Sequence, residues 1–462
     1  MKMEHYESAL VIGLGASGEW AARLLLSEGV RVVAVDASDS PGLQQAASGL
    51  RAAGGLIHLG CRGLPEERFS VAVVSPGVPE TSPWVQGLEG RGIRVVSELE
   101  LAWSRCRGRV GAVTGSNGKS TAAKLWRDSL ARAGLRVALG GNYGPPFARL
   151  VLEEREADWY VVEVSSFQLE RVRDFRPDIG MLLNVHPNHL DRHGTLERYA
   201  QLKSRLFAQM GERDVAVVQD ELAAGPRRID MGAGRRITFG LSAQADYRYS
   251  PGRIEWGRGW GQAGLDASGA GGISIASSAF DNRILGPTAA AVTAAAVECG
   301  CNVGCVAEAA RDLVPLPHRM QSAGTVCGVE FIDNSKATNL AALAASLAMV
   351  DRPVRLIAGG LLKETDLQSP KELLVKKVRG AYLIGKAAES MAVAWGSLIP
   401  CHACSDIKDA VQRAFASAER GEIILLAPGC ASFDQFGGFE DRGNRFLEIV
   451  SSLGNMKERG AK

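Results

Sequence analysis

The chain has 462 residues, 46% of them hydrophobic and 23% charged, and 53 basic against 51 acidic residues leave a formal net charge of +2. That balance excludes a disordered or collagen-like chain and offers no charge excess for a nucleic-acid surface or an anionic membrane. Any anionic ligand must be held by a local site, and the length predicts three domains with clefts between them.

The opening stretch MKMEHYESALVIGLG places polar and acidic residues where a signal peptide needs an apolar core, and no run long enough to span a bilayer follows. A cytoplasmic protein is expected, with neither membrane insertion nor nucleic acid among its partners. Nine cysteines in so long a chain suit reduced thiols better than a disulfide framework. The clusters Cys299, Cys301, Cys305 and Cys401, Cys404 read as buried or half-buried thiols ahead of zinc sites.

From Ala9 to Ser38 the sequence reads as strand, glycine turn, helix and strand, ending near Asp36. Gly13, Gly15 and Gly18 taken alone match a dinucleotide fingerprint with Asp36 on a ribose. The physics specifies only a pyrophosphate at a helix N-terminus, so NAD and a UDP-sugar both remain open. Residues 1–108 are expected to form a Rossmann-like α/β domain.

A fresh apolar strand, RVGAVT, then runs into TGSNGKST and the amphipathic helix that starts at Lys119. Strand, glycine loop and helix N-terminus together make an anion site, to which Lys119 adds charge and Ser120 a hydroxyl suited to magnesium. The usual phosphate loop has four residues between its glycines, whereas Gly115 and Gly118 are separated by two. DWYVVEVSS and IGMLLNV supply further sheet strands, and residues 229–285 read as small antiparallel strands. An Ala-rich helix closed by Gly300 follows. Residues 109–316 are expected to form a central parallel-sheet domain. After LVPLPHRM, the strands VEFIDNS, VRLIAGG, GAYLIG and EIILLAPG predict a third, doubly wound domain over 317–462, with GNMKERGAK as a frayed tail.

TGSNGKST resembles the shortened ATP loop of the Mur ligases and the related folylpolyglutamate synthases. EVSSFQLE, NVHPNHLDRH, YAQLKSRLF, PHRM, DNSKATN, GGLLKETDL and PGCASFDQFGGFEDRGNRF resemble, in order and spacing, the glutamate-adding branch of that family. The resemblance implies three domains: a Rossmann-like UDP-binding domain, a central P-loop ATPase-like domain and a C-terminal Rossmann-like domain. It implies an ATP-dependent ligase that joins glutamate to UDP-N-acetylmuramoyl-L-alanine, a precursor of peptidoglycan, through an acyl phosphate. The expected partners are small molecules, and the enzyme is expected to act as a monomer with two magnesium ions.

Carried onto this sequence, the family pattern assigns Lys119, Glu163, His189 and Lys203 to catalysis. Ser120, Glu163, His189 and a carbamylated Lys203 are set at the metals. Gly115, Ser116, Asn117, Gly118, Lys119, Ser120, Thr121, Arg319, Asp333, Asn334 and Lys336 are set at ATP. The UDP-sugar is matched by Gly15, Ala16, Ser17, Asp36, Ser38, Ser75, Pro76, Gly77 and Asn142, and the amino acid by Thr338, Lys363, Ser432 and Phe433. The family's asparagines near the adenine are absent from Gly286 to Val292, and Asp333-Asn334 stands where Asn-Asp or Asp-Asp is usual. A ligase adding L-glutamate, an NAD-dependent oxidoreductase and a non-catalytic nucleotide-binding protein stay open as alternatives.

Overall fold

The computed structural model describes residues 5–224, 229–257, 271–314, 316–363 and 366–460, with side chains given to residue 453 except that of Asp191. Pro315, Glu364, Thr365 and the part of the expected strand region at 258–270 therefore lie outside the described residues. Two compact units emerge. One comprises Met1–Asn184, Tyr199–Asp281 and Leu285–Asp312, and the other Val185–Arg198, Asn282–Ile284 and Leu313–Lys462.

The first sheet contains β1 (Ser8–Ile12), β2 (Arg31–Val35), β3 (Leu56–His58), β4 (Val71–Val74) and β5 (Val95–Ser97). Its order is β3-β2-β1-β4-β5 and every pairing is parallel. Strands this apolar are buried on both faces, as the fully buried Leu10, Val33 and Ala72 illustrate.

The second sheet, in the same unit, begins with β6 (Arg109–Thr114), β7 (Val137–Gly141), β8 (Trp159–Glu163), β9 (Ile179–Leu182) and β10 (Val215–Gln219). It continues with β11 (Arg235–Gly240), β12 (Tyr247–Ser250), β13 (Arg253–Trp256) and β14 (Gly271–Ser274). The order is β14-β13-β12-β11-β10-β9-β6-β8-β7. The expected antiparallel region is corrected in part: β11 runs parallel to β10 and β12 parallel to β11, and only β12, β13 and β14 pair antiparallel. The alternation in RRITFG looked like an edge hairpin because its first residues are exposed, although its end, Phe239 and Gly240, is buried. Gly111 on β6 lets the indole of Trp126 lie flat on the strand, where any Cβ would collide with the ring.

The other unit holds β15 (Gln321–Val326), β16 (Val329–Asp333), β17 (Val354–Gly359), β18 (Val378–Ile384), β19 (Cys401–Ala403) and β20 (Ile423–Leu426). The order is β15-β16-β20-β17-β18-β19, parallel except for the β15–β16 hairpin. Alternate residues feed opposite faces: Leu356 and Leu425 enter one core, Ile357, Ile424 and Leu426 the other. This is a doubly wound sheet. The C-terminal helix spans Phe439–Gly460, so the stretch expected to fray is helical as far as Gly460.

Candidate active site

Parallel pairing decides which groups meet, because it carries the carboxyl ends of neighbouring strands to one edge. In the first sheet that edge holds the turn after β1. The helix Ala16–Ser27 starts there with Gly15 as its N-cap and no side-chain cap, which leaves backbone N–H groups for an anion. Gly13 has φ +81°, and a Cβ on Gly18 would collide with the Gly13 carbonyl. Ser75 Oγ donates to that carbonyl at 2.7 Å, which brings the Ser75-Pro76-Gly77 turn against the glycine loop. Asp36 works inward: one carboxylate oxygen accepts from Leu14 N at 2.7 Å and the other from Ser38 N at 2.8 Å. Those bonds shape the loop around the helix start.

In the second sheet, β6 delivers Thr114 and the loop to Gly118, which caps the helix Lys119–Arg132 at φ +82°. This left-handed position favours glycine. Asn184, just beyond β9, clamps the loop: its Oδ1 accepts from Ser116 N at 3.1 Å and Asn117 N at 3.0 Å, and its Nδ2 donates to Asn117 O at 3.2 Å. The sequence reading assigned Asn184 no role, although it opens the quoted NVHPNHLDRH phrase. Lys119 Nζ donates to Gly115 O at 3.0 Å and Ser116 O at 3.2 Å, and Ser120 is buried in the first helical turn. Thr121 follows in the same turn.

Glu163 ends β8 beside β6 and is 3% exposed. Asn142 Nδ2 donates to Glu163 Oε1 at 2.8 Å, while Oε2 is buried without a hydrogen-bond partner. Asn142, expected beside the sugar substrate, thus lies against Glu163. A buried carboxylate oxygen with no hydrogen-bond partner among the described residues, and a buried serine hydroxyl in the first turn of the helix after the neighbouring strand, are donors of the type an oxygen-ligated divalent cation takes.

Lys203 is 1% exposed. Its Nζ donates to Gly115 O at 2.9 Å, stands 3.4 Å from Thr114 Oγ1 and lies over the Tyr199 ring. Burial, and next the neighbouring Lys119 charge, push its pKa well below the ordinary lysine range, against a smaller opposing pull from Glu163. Neutrality makes an amine nucleophilic. Tyr199 also receives a 3.4 Å hydrogen bond from Ser116 Oγ.

The helix Gly286–Glu298 packs on the phosphate-loop helix, and Ala289 to Val292 are fully buried. Thr288 comes nearest the loop, with Oγ1 3.7 Å from where a Gly118 Cβ would stand.

The other unit carries the remaining candidate residues. His189 adopts φ +55° and caps the helix Leu190–His193. His318 is 4% exposed, and its Nδ1 lies 2.6 Å from Asp333 Oδ2; the other Asp333 oxygen accepts from Ser335 N at 2.8 Å. Asn334 donates to Ser346 Oγ at 2.7 Å and accepts from Met320 N at 3.2 Å. Asp333 is 0% exposed, and both side chains are spent on holding His318, Met320 and the loop. Arg319, between His318 and Met320, sits on that held segment.

Three loops follow the carboxyl ends of the adjacent strands β16, β20 and β17, and they carry Lys336 and Thr338, Ser432 and Phe433, and Lys363. Ser432 is buried whereas Phe433 is 70% exposed. The aromatic that meets the site lysine is instead Phe439, whose ring lies 3.8 Å from Lys336 Nζ. It belongs to the quoted FEDRG phrase, which the sequence reading left without a role.

Residues 113–257 match the Mur ligase middle domain and residues 318–430 the Mur ligase, glutamate ligase domain. The chain is 36% identical to the UDP-N-acetylmuramoylalanine–D-glutamate ligase of Nitratidesulfovibrio vulgaris, over 96% of each chain. It is 38% identical to that of Frankia casuarinae, over 96% of this chain and 93% of the relative. The MurF ligase of Thermotoga maritima, solved in complex with ADP, shares the fold at TM-score 0.59 and 17% identity, over 93% and 97% of the two chains. With a phosphate loop, a buried carboxylate beside it and this full-length likeness, the chain belongs to the Mur ligase family, on the branch whose members are named UDP-N-acetylmuramoylalanine–D-glutamate ligase.

Proposed function

We propose that the protein joins D-glutamate to UDP-N-acetylmuramoyl-L-alanine, with conversion of ATP to ADP and phosphate, in the cytoplasm. The single observation that carries the reading is the register that sets Glu163, at the end of β8, opposite Val113 of β6, whose loop leads to Lys119, while one buried oxygen of that carboxylate has no hydrogen-bond partner among the described residues. The choice of D-glutamate is supported by the names of the relatives. Domains at 1–108, 109–316 and 317–462 belong to this reading, which the grouping of the strands into three sheets supports.

In this reading the alanyl carboxylate of the substrate takes the γ-phosphoryl of ATP, ADP leaves, and the acyl phosphate is attacked by the glutamate amine. The amide bond forms as phosphate departs, and the amine gives up its proton. Lys119 and the loop N–H groups hold the phosphates of ATP, and Asn184 keeps that loop in shape for them. Ser120 and Glu163 would hold one magnesium, and a carbamylated Lys203 and, on the other unit, His189 would each offer a further metal ligand; bound magnesium supplies neutralisation of phosphate charge. The unprotonated form of the Lys203 amine, favoured by its burial, adds carbon dioxide and releases one proton, which leaves an anionic carbamate. The glycine turn after β1, with Gly15, Ala16, Ser17, Ser38 and Ser75, takes the UDP diphosphate. Arg319 and Lys336 meet the nucleotide, and Thr338, Lys363 and Ser432 the carboxylates of glutamate.

The test is phosphate release from ATP with magnesium and UDP-N-acetylmuramoyl-L-alanine, comparing D-glutamate, L-glutamate and no amino acid. Release that requires D-glutamate is expected. Release with L-glutamate alone reassigns the acceptor, and no release with either sinks the reading.

A further inference from the structure

Arg442 is fully buried, yet among the described residues no carboxylate hydrogen-bonds its guanidinium. Its Nε donates to Ser335 Oγ at 3.0 Å, Nη2 to Ser335 O at 2.8 Å and Nη1 to Cys430 O at 3.1 Å. The third loop closes on the same group: a Cβ on Gly360 would stand 3.3 Å from Nη1 and would collide with the Ala431 carbonyl. Ser335 also donates to Phe439 O at 2.8 Å. One planar fork therefore joins the loops after β16 and β20, under the loop after β17. Taking a guanidinium out of water costs several kcal/mol, which a neutral amide tie between two carbonyls would largely avoid. The rigid fork offers more donors than an amide and remains a cation at neutral pH, although burial lowers its pKa to about 10 and the carboxylates of Asp434 and Asp333 lie close enough to offset part of its charge.

We propose that Arg442 is a positioning residue for the amino-acid acceptor: its guanidinium sets the spacing of the loops bearing Thr338, Lys363 and Ser432, and its buried charge favours an acidic acceptor over a neutral one. This rests on the ligase reading above. The experiment measures KM for the acidic amino acid, ATP and the UDP substrate in the full-length wild type, Arg442→Lys and Arg442→Ala, with thermal melting alongside. Arg442→Lys is expected to raise the amino-acid KM about tenfold or more while the other two KM values hold. Millimolar ethylguanidinium is expected to lower the amino-acid KM of Arg442→Ala toward the wild-type value. Unchanged amino-acid KM in the variants, equal rises in all three constants, or failure of both variants to fold would each leave only a structural tie and overturn the proposal. A wild type that turns over no acidic amino acid would instead overturn the ligase reading, before any variant is compared.

Discussion

Asn142 holds one oxygen of Glu163 at 2.8 Å and leaves the other buried and unpartnered. The amide therefore orients a carboxylate that has a single site to offer. Replacing Asn142 with Ala should leave the fold intact and raise the magnesium concentration for half-maximal activity by about tenfold. A magnesium titration of the purified variant checks this, and an unmoved midpoint removes the orienting role.

Lys119 supplies the cation of the phosphate loop. Lys119→Ala should lower kcat by roughly 10²-fold or more, in line with the loss of a preorganised donor to developing charge. Its melting temperature should change little, because the side chain donates to Gly115 O and Ser116 O of its own loop. Steady-state kinetics and a thermal melt read the two effects separately.

Lys203 is buried as an amine with a depressed pKa. Lys203→Ala should abolish most activity, and a short-chain carboxylate such as formate or acetate should restore part of it by entering the vacated space. Activity equal to wild type, or activity lost without any carboxylate response, would count against the carbamylated lysine.

Glu98 accepts from Ala148 N at 2.6 Å, and burial pushes its pKa up from 4.5 to about 7 against the lowering effect of backbone hydrogen bonds. A raised folded-state value means the folded chain binds more protons than the unfolded one. The stabilisation is fully present below about pH 4.5 and is lost as pH rises through about 7, a difference on the order of 3 kcal/mol. Glu98→Gln should remove this slope, so chemical denaturation at pH 5 and pH 8 should differ less in the variant.

Gly443 lies inside the C-terminal helix against the ring of His318, which Asp333 pins. Alanine would gain about 1 kcal/mol of helix propensity, but the clash with a held ring costs about 1–3 kcal/mol. A lower melting temperature for Gly443→Ala is the expected net result.

Much of this was legible in the sequence because it depends on local chemistry. TGSNGKST declared an anion loop through its glycines, its lysine and the helix behind it, and apolar runs bounded by turns declared parallel strands. What stayed hidden depends on distance in the fold. Asn184 clamps a loop nearly seventy positions away in the chain, and nothing in its own neighbourhood distinguishes it from a turn asparagine. Asp333 looked like a ligand by its motif, yet the fold turns it inward onto His318. Phe433 is named by the motif and Phe439 is not, yet only packing shows that Phe433 is exposed while the Phe439 ring lies against Lys336. Strand β11 reads like a hairpin strand, and only its partner β10 reveals its direction.

The ladder between β6 and β8 sets Val113 opposite Glu163, so the phosphate loop and the acidic group that accompanies it are neighbours by register. The helices and turns linking those strands cover the sheet without setting that distance. Insertions in the connections can therefore accumulate over evolution without moving the chemistry, whereas a one-residue slip within β8 would turn Glu163 to the opposite face. Engineering of this chain has its freedom in the links and its rigidity in the strands.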